Sequence, residues 1–244
     1  MSTTIRLLTK LFFSEFIATG FLMFAGCMGA WESTIFPNTN FQISINIALI
    51  VMIVVQCFGH VSGGHVNPTV TVAAFINGVI NFPMLVVYIL GQVLGATAGF
   101  GILKAVSPPM PDNFCLTLPN EELTTLQVFV VEFVISSMLT VVVCTFWDSS
   151  NAGRHDALPI RIGFTLGSLV FSASRLSGGS MNPARSFAPA LLMSNFDYQW
   201  LYWVSPLSSA VISSLIYKYF FKTPAPKEAI TNNTVEADQN KVQV

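Results

Sequence analysis

Charge is what this sequence has least of. Its 244 residues include 11 Lys and Arg, 12 Asp and Glu and three histidines, and charged residues make up 9% of the chain, against about 25% in a water-soluble domain. So few charges cannot furnish a mostly aqueous surface. With a net charge of −1 nothing points to nucleic acid, and no nucleic-acid partner is expected. The histidines are His60, His65 and His155, all read as loop residues. With no nucleophile–base set and no metal-ligand spacing, an enzyme is not expected, and no catalytic residue, metal or cofactor is assigned. The four cysteines, Cys27, Cys57, Cys115 and Cys144, show neither disulfide nor metal spacing, and none is read as a bridge. Cys27, Cys57 and Cys144 lie in apolar stretches and are expected to be buried packing residues. A cleavable signal peptide is not expected either: the first apolar run is long and holds Glu15 instead of ending in a small-residue cleavage site.

What the chain does have is apolar length. Hydrophobic residues make up 52% of it and the mean hydropathy is +0.64. A bilayer crossing needs about 20 mostly apolar residues. Six stretches qualify, at 9–30, 42–61, 83–106, 126–147, 157–176 and 200–221. Two more apolar segments, 68–79 and 183–193, are too short to cross, and each begins at an Asn-Pro. Proline suits the first turn of a helix, where its missing N–H costs nothing, so each reads as a half-helix starting inside the membrane. The fold class expected is an all-α membrane protein with six transmembrane helices and two re-entrant half-helices.

Basic residues orient the chain. Arg6 and Lys10 precede the first span, Arg154 lies between the fourth and fifth, and Lys218, Lys222 and Lys227 follow the sixth. The connection at 107–125 carries Asp112, Glu121 and Glu122 and no Lys or Arg. Both termini are therefore expected in the cytoplasm, with residues 1–8 as a short N-terminal segment, 9–222 as one channel domain and 223–244 as a disordered polar tail. Lys104, near the outer end of the third span, is the exception and is expected to snorkel. The sequon at Asn232 should stay unglycosylated on the cytoplasmic side.

The two halves repeat. Residues 62–71 read "SGGHVNPTVT" and 177–187 read "SGGSMNPARSF"; "EFIATG" at 15–20 answers "EFVISS" at 132–137. With three spans per half, the halves are inverted about the membrane plane. Broken helices in such repeats meet near the midplane and build the site there. Gly63, Gly64, Gly178 and Gly179 supply the dihedrals that a re-entrant loop needs.

These motifs resemble those of the aquaporins over about residues 9–221. "GGSMNPARSFAPA" is a very specific match; Asn67-Pro68-Thr69 departs from the usual Asn-Pro-Ala in its third residue, whereas Asn182-Pro183-Ala184 keeps it. The resemblance implies that Asn67 and Asn182 donate to the permeating molecule at the pore centre, and that Arg185 is the filter arginine near the outer mouth. Facing half-helix N-termini put positive dipole ends there, which repels protons and cations. By the same resemblance, Glu15 and Glu132 anchor the re-entrant loops, with a proton relay as the lesser reading of a membrane carboxylate. His65 joins them at the cytoplasmic vestibule. Family members are tetramers with one pore per subunit, so a homotetramer, in the plasma membrane, is implied.

Selectivity turns on the residues facing Arg185. Strict water channels of the family have an aromatic 20 positions before the first asparagine and a histidine 12 before the second. Those positions are Ile47 and Val170 here, with Ser168 as the alternative to Val170, and Gly179 stands where a cysteine often does. The fifth span holds no histidine. A filter of Ile47, Val170, Gly179 and Arg185 should be wide and apolar on one wall, which favours water plus glycerol or urea. Ser186, Ala190 and the pair Tyr202-Trp203 match the water-channel pattern instead. The sum resembles a water-channel framework with an opened filter, as in certain insect glycerol-permeable aquaporins. The alternatives are a strictly water-selective channel and a structural or adhesive membrane protein with a weak pore. A coupled transporter fits the inverted repeat and the carboxylates, but not the Asn-Pro half-helices with Arg185.

Overall fold

A computed structural model describes residues 3–32, 37–154 and 156–224. Among the described residues the regular structure is helical: α1 (Thr3–Met28), α2 (Asn40–Ser62), α3 (Pro68–Ile76), α4 (Phe82–Val106), α5 (Thr125–Phe146), α6 (Leu158–Ser177), α7 (Pro183–Met193) and α8 (Gln199–Ile216). A short 3-10 turn at Ser149–Asn151 and a π-helical turn at Tyr217–Phe221 complete it. The chain is an integral membrane protein of six transmembrane helices and two half-helices. α1, α2, α4 and α5 are by themselves long and apolar enough to cross a membrane. α6 and α8 are similar in length but more polar: α6 carries Arg161 and Arg175, and α8 buries Ser205, Ser209, Ser213 and Ser214.

Local sequence explains most boundaries. Thr39 with Gln42 and Thr124 with Gln127 form capping boxes at the starts of α2 and α5. α3 and α7, with nine and 11 residues, span about 14 and 17 Å at 1.5 Å per residue, half of a hydrocarbon core of about 30 Å. α3 stops at Ile76, three residues short of the expected 79, where Asn77 closes it. α1 begins at Thr3, so the segment expected as a short N-terminal extension is its first turns. Of the tail, Thr223 and Pro224 are described and docked; the rest, with the Asn232 sequon, lies outside the described residues, as does His155.

The bundle is tightest where side chains vanish. A Cβ on Gly95 would sit 2.1 Å from the Phe16 carbonyl oxygen, and one on Gly99 would sit 2.1 Å from that of Gly20. α1 and α4 therefore pack backbone to backbone, as small residues in membrane helices allow. Ser205 on α8 donates to the Phe129 carbonyl of α5 at 2.9 Å. The outer face is apolar, with Phe13, Ile53, Leu90, Leu94, Val134 and Phe164 among the exposed residues, as lipid contact requires.

The cysteines differ from the expectation. Cys27, at the end of α1, and Cys115, in the 107–124 connection, form a disulfide with Cα atoms 5.7 Å apart. Cys57 is exposed and Cys144 buried, both free. Cys27 and Cys144 are buried as expected, Cys27 within a bridge that was not, and Cys57 is not buried. The bridge is invisible in sequence because its partners are 88 residues apart and belong to elements that meet only in the fold. Lys104 is also better placed than snorkelling implies: its Nζ donates to the Leu192 carbonyl at 2.7 Å, capping the C-terminal end of α7.

Candidate functional site at the meeting of the half-helices

The re-entrant loops are built twice over the same plan. α2 and α6 each end at a glycine, Gly63 and Gly178, with φ of 85°. This left-handed conformation suits glycine. The chain then turns into the Asn-Pro pair. The residues just before each asparagine, Val66 and Met181, also hold positive φ, 46° and 53°. For branched or bulky side chains this is uncommon and costly, so something must hold them.

The holders are the two carboxylates. Glu15 accepts from the Ser62 hydroxyl at 2.6 Å, the His65 N–H at 3.0 Å, the Val66 N–H at 2.8 Å and the Gln92 side-chain amide at 2.7 Å. Glu132 accepts from the Ser177 hydroxyl at 2.7 Å and from the Ser180 and Met181 N–H groups, both at 2.9 Å. Both glutamates are fully buried. A buried carboxylate is tolerable when it is saturated with donors, and here those donors include the N–H groups of the strained turns. The hydroxyls of Tyr88 and Tyr202 add a second layer, donating at 2.7 Å to the carbonyls of Ser62 and Ser177.

The asparagines lock the halves together. Asn67 Oδ1 accepts from the Thr69 N–H at 2.8 Å, and Asn182 Oδ1 from those of Ala184 and Arg185 at 3.1 and 3.3 Å. Each side chain thus caps its own half-helix, with Pro68 and Pro183 in the first turn. Nδ2 of Asn67 donates across to the Met181 carbonyl at 3.0 Å, and Nδ2 of Asn182 to that of Val66 at 2.8 Å. An amide has two donor hydrogens, so each asparagine keeps one beyond this cross-tie. Thr69 is fully buried, as its place in the packed turn requires.

A cavity of about 430 Å³ runs past both asparagines. Its lining extends from Ala30, Asn113 and Cys115 at one end to Phe146, Trp147 and Leu158 at the other. Ile47, Val170, Gly179 and Arg185 all border it, whereas Ser168 is exposed. Arg185 Nη1 donates to the Cys115 carbonyl at 3.0 Å and to the Thr117 hydroxyl. His65 lies at the cavity's other side of the asparagines, against the rings of Tyr88 and Trp147 at 4.9 and 5.8 Å, with Nδ1 3.3 Å from the Thr71 hydroxyl. His60 sits exposed in the last turn of α2, rather than in the loop.

The sequence reading missed Ser62, Ser177, Tyr88, Tyr202 and Gln92 as loop holders, although the serines open the repeated "SGG" in both halves. It also missed Cys115 and Thr117, whose tie to Arg185 depends on how the 107–124 connection folds back.

The model for the major intrinsic protein family matches residues 2–217. The chain belongs to that family. Among major intrinsic proteins it is 36% identical to mouse aquaporin-4 over 85% of this chain and 66% of the relative. It is 35% identical to sheep aquaporin-2 over 87% and 79%, and 31% identical to the sheep lens fiber major intrinsic protein over 93% and 89%. The chain spans about three-fifths of the length of most aquaporin-4 relatives it matches. The fold is that of the aquaglyceroporin from Plasmodium falciparum: TM-score 0.78 at 20% identity, covering 87% of this chain and 96% of that one.

Proposed function

We propose that the protein is a passive channel for water and for small uncharged solutes such as glycerol or urea, and that it excludes protons and ions. The observation that carries this reading is the cavity past Asn67 and Asn182, with one free amide hydrogen on each asparagine and two half-helix N-termini converging there. An oxygen held by both amides turns its own hydrogens away from the file, which breaks a proton relay, and the dipole ends oppose cations. Arg185 adds a fixed positive charge toward the cysteine-bridged end.

The wider solute range is supported by the wall opposite Arg185. Ile47, Val170 and Gly179 offer aliphatic surface and no bulky ring, so a carbon backbone can lie along them while its hydroxyls meet Arg185 and backbone carbonyls. A strictly water-selective channel is the second reading. It is favoured by Ser186, which is buried beside Thr117 at 2.8 Å in the water-channel pattern.

The disulfide supports the proposed orientation, since such bonds persist in oxidising surroundings. The 107–124 connection would lie outside, both termini would lie in the cytoplasm, and the plasma membrane would be the site. Assembly as a homotetramer with a pore in each subunit is proposed from the family resemblance. Reconstituted vesicles carrying a proton-sensitive dye test the central reading: water flux well above bare lipid with no added proton leak is expected, and near-zero water flux would support a structural role instead.

A further inference from the structure

We propose that the Cys27–Cys115 disulfide is a specificity-determining part of the pore mouth, holding Arg185 in place, and that its reduction by a dithiol widens the filter. The inference rests on the proposed role of Arg185 as the filter residue.

Three observations meet here. Both cysteines border the same cavity as Arg185, so the bridge is part of the wall. Cys115 supplies the carbonyl that accepts from Arg185 Nη1 at 3.0 Å, and its sulfur lies 3.8 Å from Nη2. Cys115 itself holds φ of 59°, a conformation uncommon for a residue with a Cβ. A backbone held in a sparsely populated region persists only where its surroundings over-determine it, and here the crosslink to α1 acts together with the turn bond from the Leu116 N–H to the Asn113 carbonyl at 3.2 Å. Arg185 has one further side-chain partner, the Thr117 hydroxyl, which lies two residues along the same connection. The bridge fixes the Cys115 acceptor directly, whereas Thr117 is also tied to Ser186 of α7 at 2.8 Å, so the Cys115 carbonyl is the contact that reduction releases.

The chemical step is thiol–disulfide exchange. A dithiol such as dithiothreitol supplies two electrons and two protons: the Cys27–Cys115 S–S bond breaks, both residues become thiols, and the reagent closes to its cyclic disulfide. Cys115 can then relax out of its left-handed conformation, its carbonyl leaves Nη1, and the wall opposite Ile47 and Val170 retreats.

The test uses the full chain in proteoliposomes, with glycerol and water permeabilities measured before and after dithiothreitol and free thiols counted by mass spectrometry. Reduction is expected to raise the glycerol-to-water ratio at least threefold in the wild type. In Arg185→Val the ratio should not respond, since two changes acting through one contact are not additive. The Cys27→Ser/Cys115→Ser variant should start at the raised ratio and ignore the reagent, while Cys57→Ser behaves as wild type. After reduction and removal of the reagent, a small charged methanethiosulfonate should block the wild-type pore at least fivefold, and it should have little effect before reduction. Because the wild type is reduced after assembly, the test stands even if the serine variant does not fold. An unchanged ratio with both thiols shown free, or the absence of a Cys27–Cys115 crosslinked peptide beforehand, would overturn the proposal. Absence of water flux in the unreduced wild type would instead sink the channel reading on which it rests.

Discussion

Asn182 on one half-helix donates from Nδ2 to the carbonyl of Val66 on the other half, at 2.8 Å. With the matching tie from Asn67 to Met181, it joins the two halves where α3 and α7 start, beside the cavity. One amide hydrogen of each asparagine holds the halves together, and under the proposed function the other is left for the permeating oxygen.

Asn182→Asp should accordingly impair transport. The carboxylate cannot donate to the Val66 carbonyl, and it brings a negative charge to a site designed around positive dipole ends. We expect water permeability per folded channel to fall at least tenfold, measured by stopped-flow light scattering with folded protein quantified by size exclusion. Retention of wild-type flux would contradict the role assigned to the amide.

Arg185→Val removes the fixed charge from the mouth and leaves the Cys115 carbonyl and the Thr117 hydroxyl without their donor. Proton or ion leak should rise several-fold in dye-loaded vesicles. A variant as proton-tight as the wild type would take Arg185 out of the barrier.

The sequence placed this site with unequal success, and the inequality has physical causes. Pro68 and Pro183 start α3 and α7 as expected, because proline fixes a helix's first turn locally. Glu15 and Glu132 were legible through the repeat, since a membrane carboxylate present in both halves needs a symmetric purpose. Ile47 and Val170 came from counting and both reach the cavity. Cys27 and Cys115 carried no local signal: their pairing depends on where a 107–124 connection, unpatterned in sequence, crosses the end of α1. Tyr88 and Tyr202 occupy related places in α4 and α8, so following the repeat beyond the motifs would have found them.

Glu132→Gln should lower stability. The amide offers one acceptor oxygen where two oxygens accept from three groups, and it turns N–H donors toward other donors. Leaving a buried donor unpaired costs about 1–3 kcal/mol. A lower thermal midpoint in detergent is expected, with Glu15→Gln behaving alike; an unchanged midpoint would mean that the loop is held by its backbone alone.

The docked start of the tail provides a test outside the membrane-spanning segments. Asp148 accepts from the Ser150 N–H at 3.0 Å and the Thr223 N–H at 2.9 Å, and from the Ser150 hydroxyl at 2.7 Å. These donors hold its carboxyl well below the usual carboxylate range. A depressed folded-state pKa gives stabilisation that is complete above the unfolded value, near 4, and is lost only as pH falls through the depressed one. Protection of the Thr223 amide should therefore be constant between about pH 5 and 8 after correction for intrinsic exchange. Asp148→Asn should speed that exchange about tenfold, equivalent to about 1.4 kcal/mol. Equal exchange in both proteins would show that the latch does not depend on the carboxylate.

Val170→His combined with Ile47→Phe should narrow the mouth opposite Arg185. Glycerol flux should fall at least fivefold more than water flux, and an unaltered ratio would mean that other residues set the filter.

The most direct measurement is stopped-flow light scattering on proteoliposomes, first under a sucrose gradient and then under a glycerol gradient. Fast shrinkage in sucrose, followed in glycerol by shrinkage and fast re-swelling, is the result predicted for an open filter of Ile47, Val170, Gly179 and Arg185. Fast shrinkage in both gradients without re-swelling would contradict it and leave a water-selective pore.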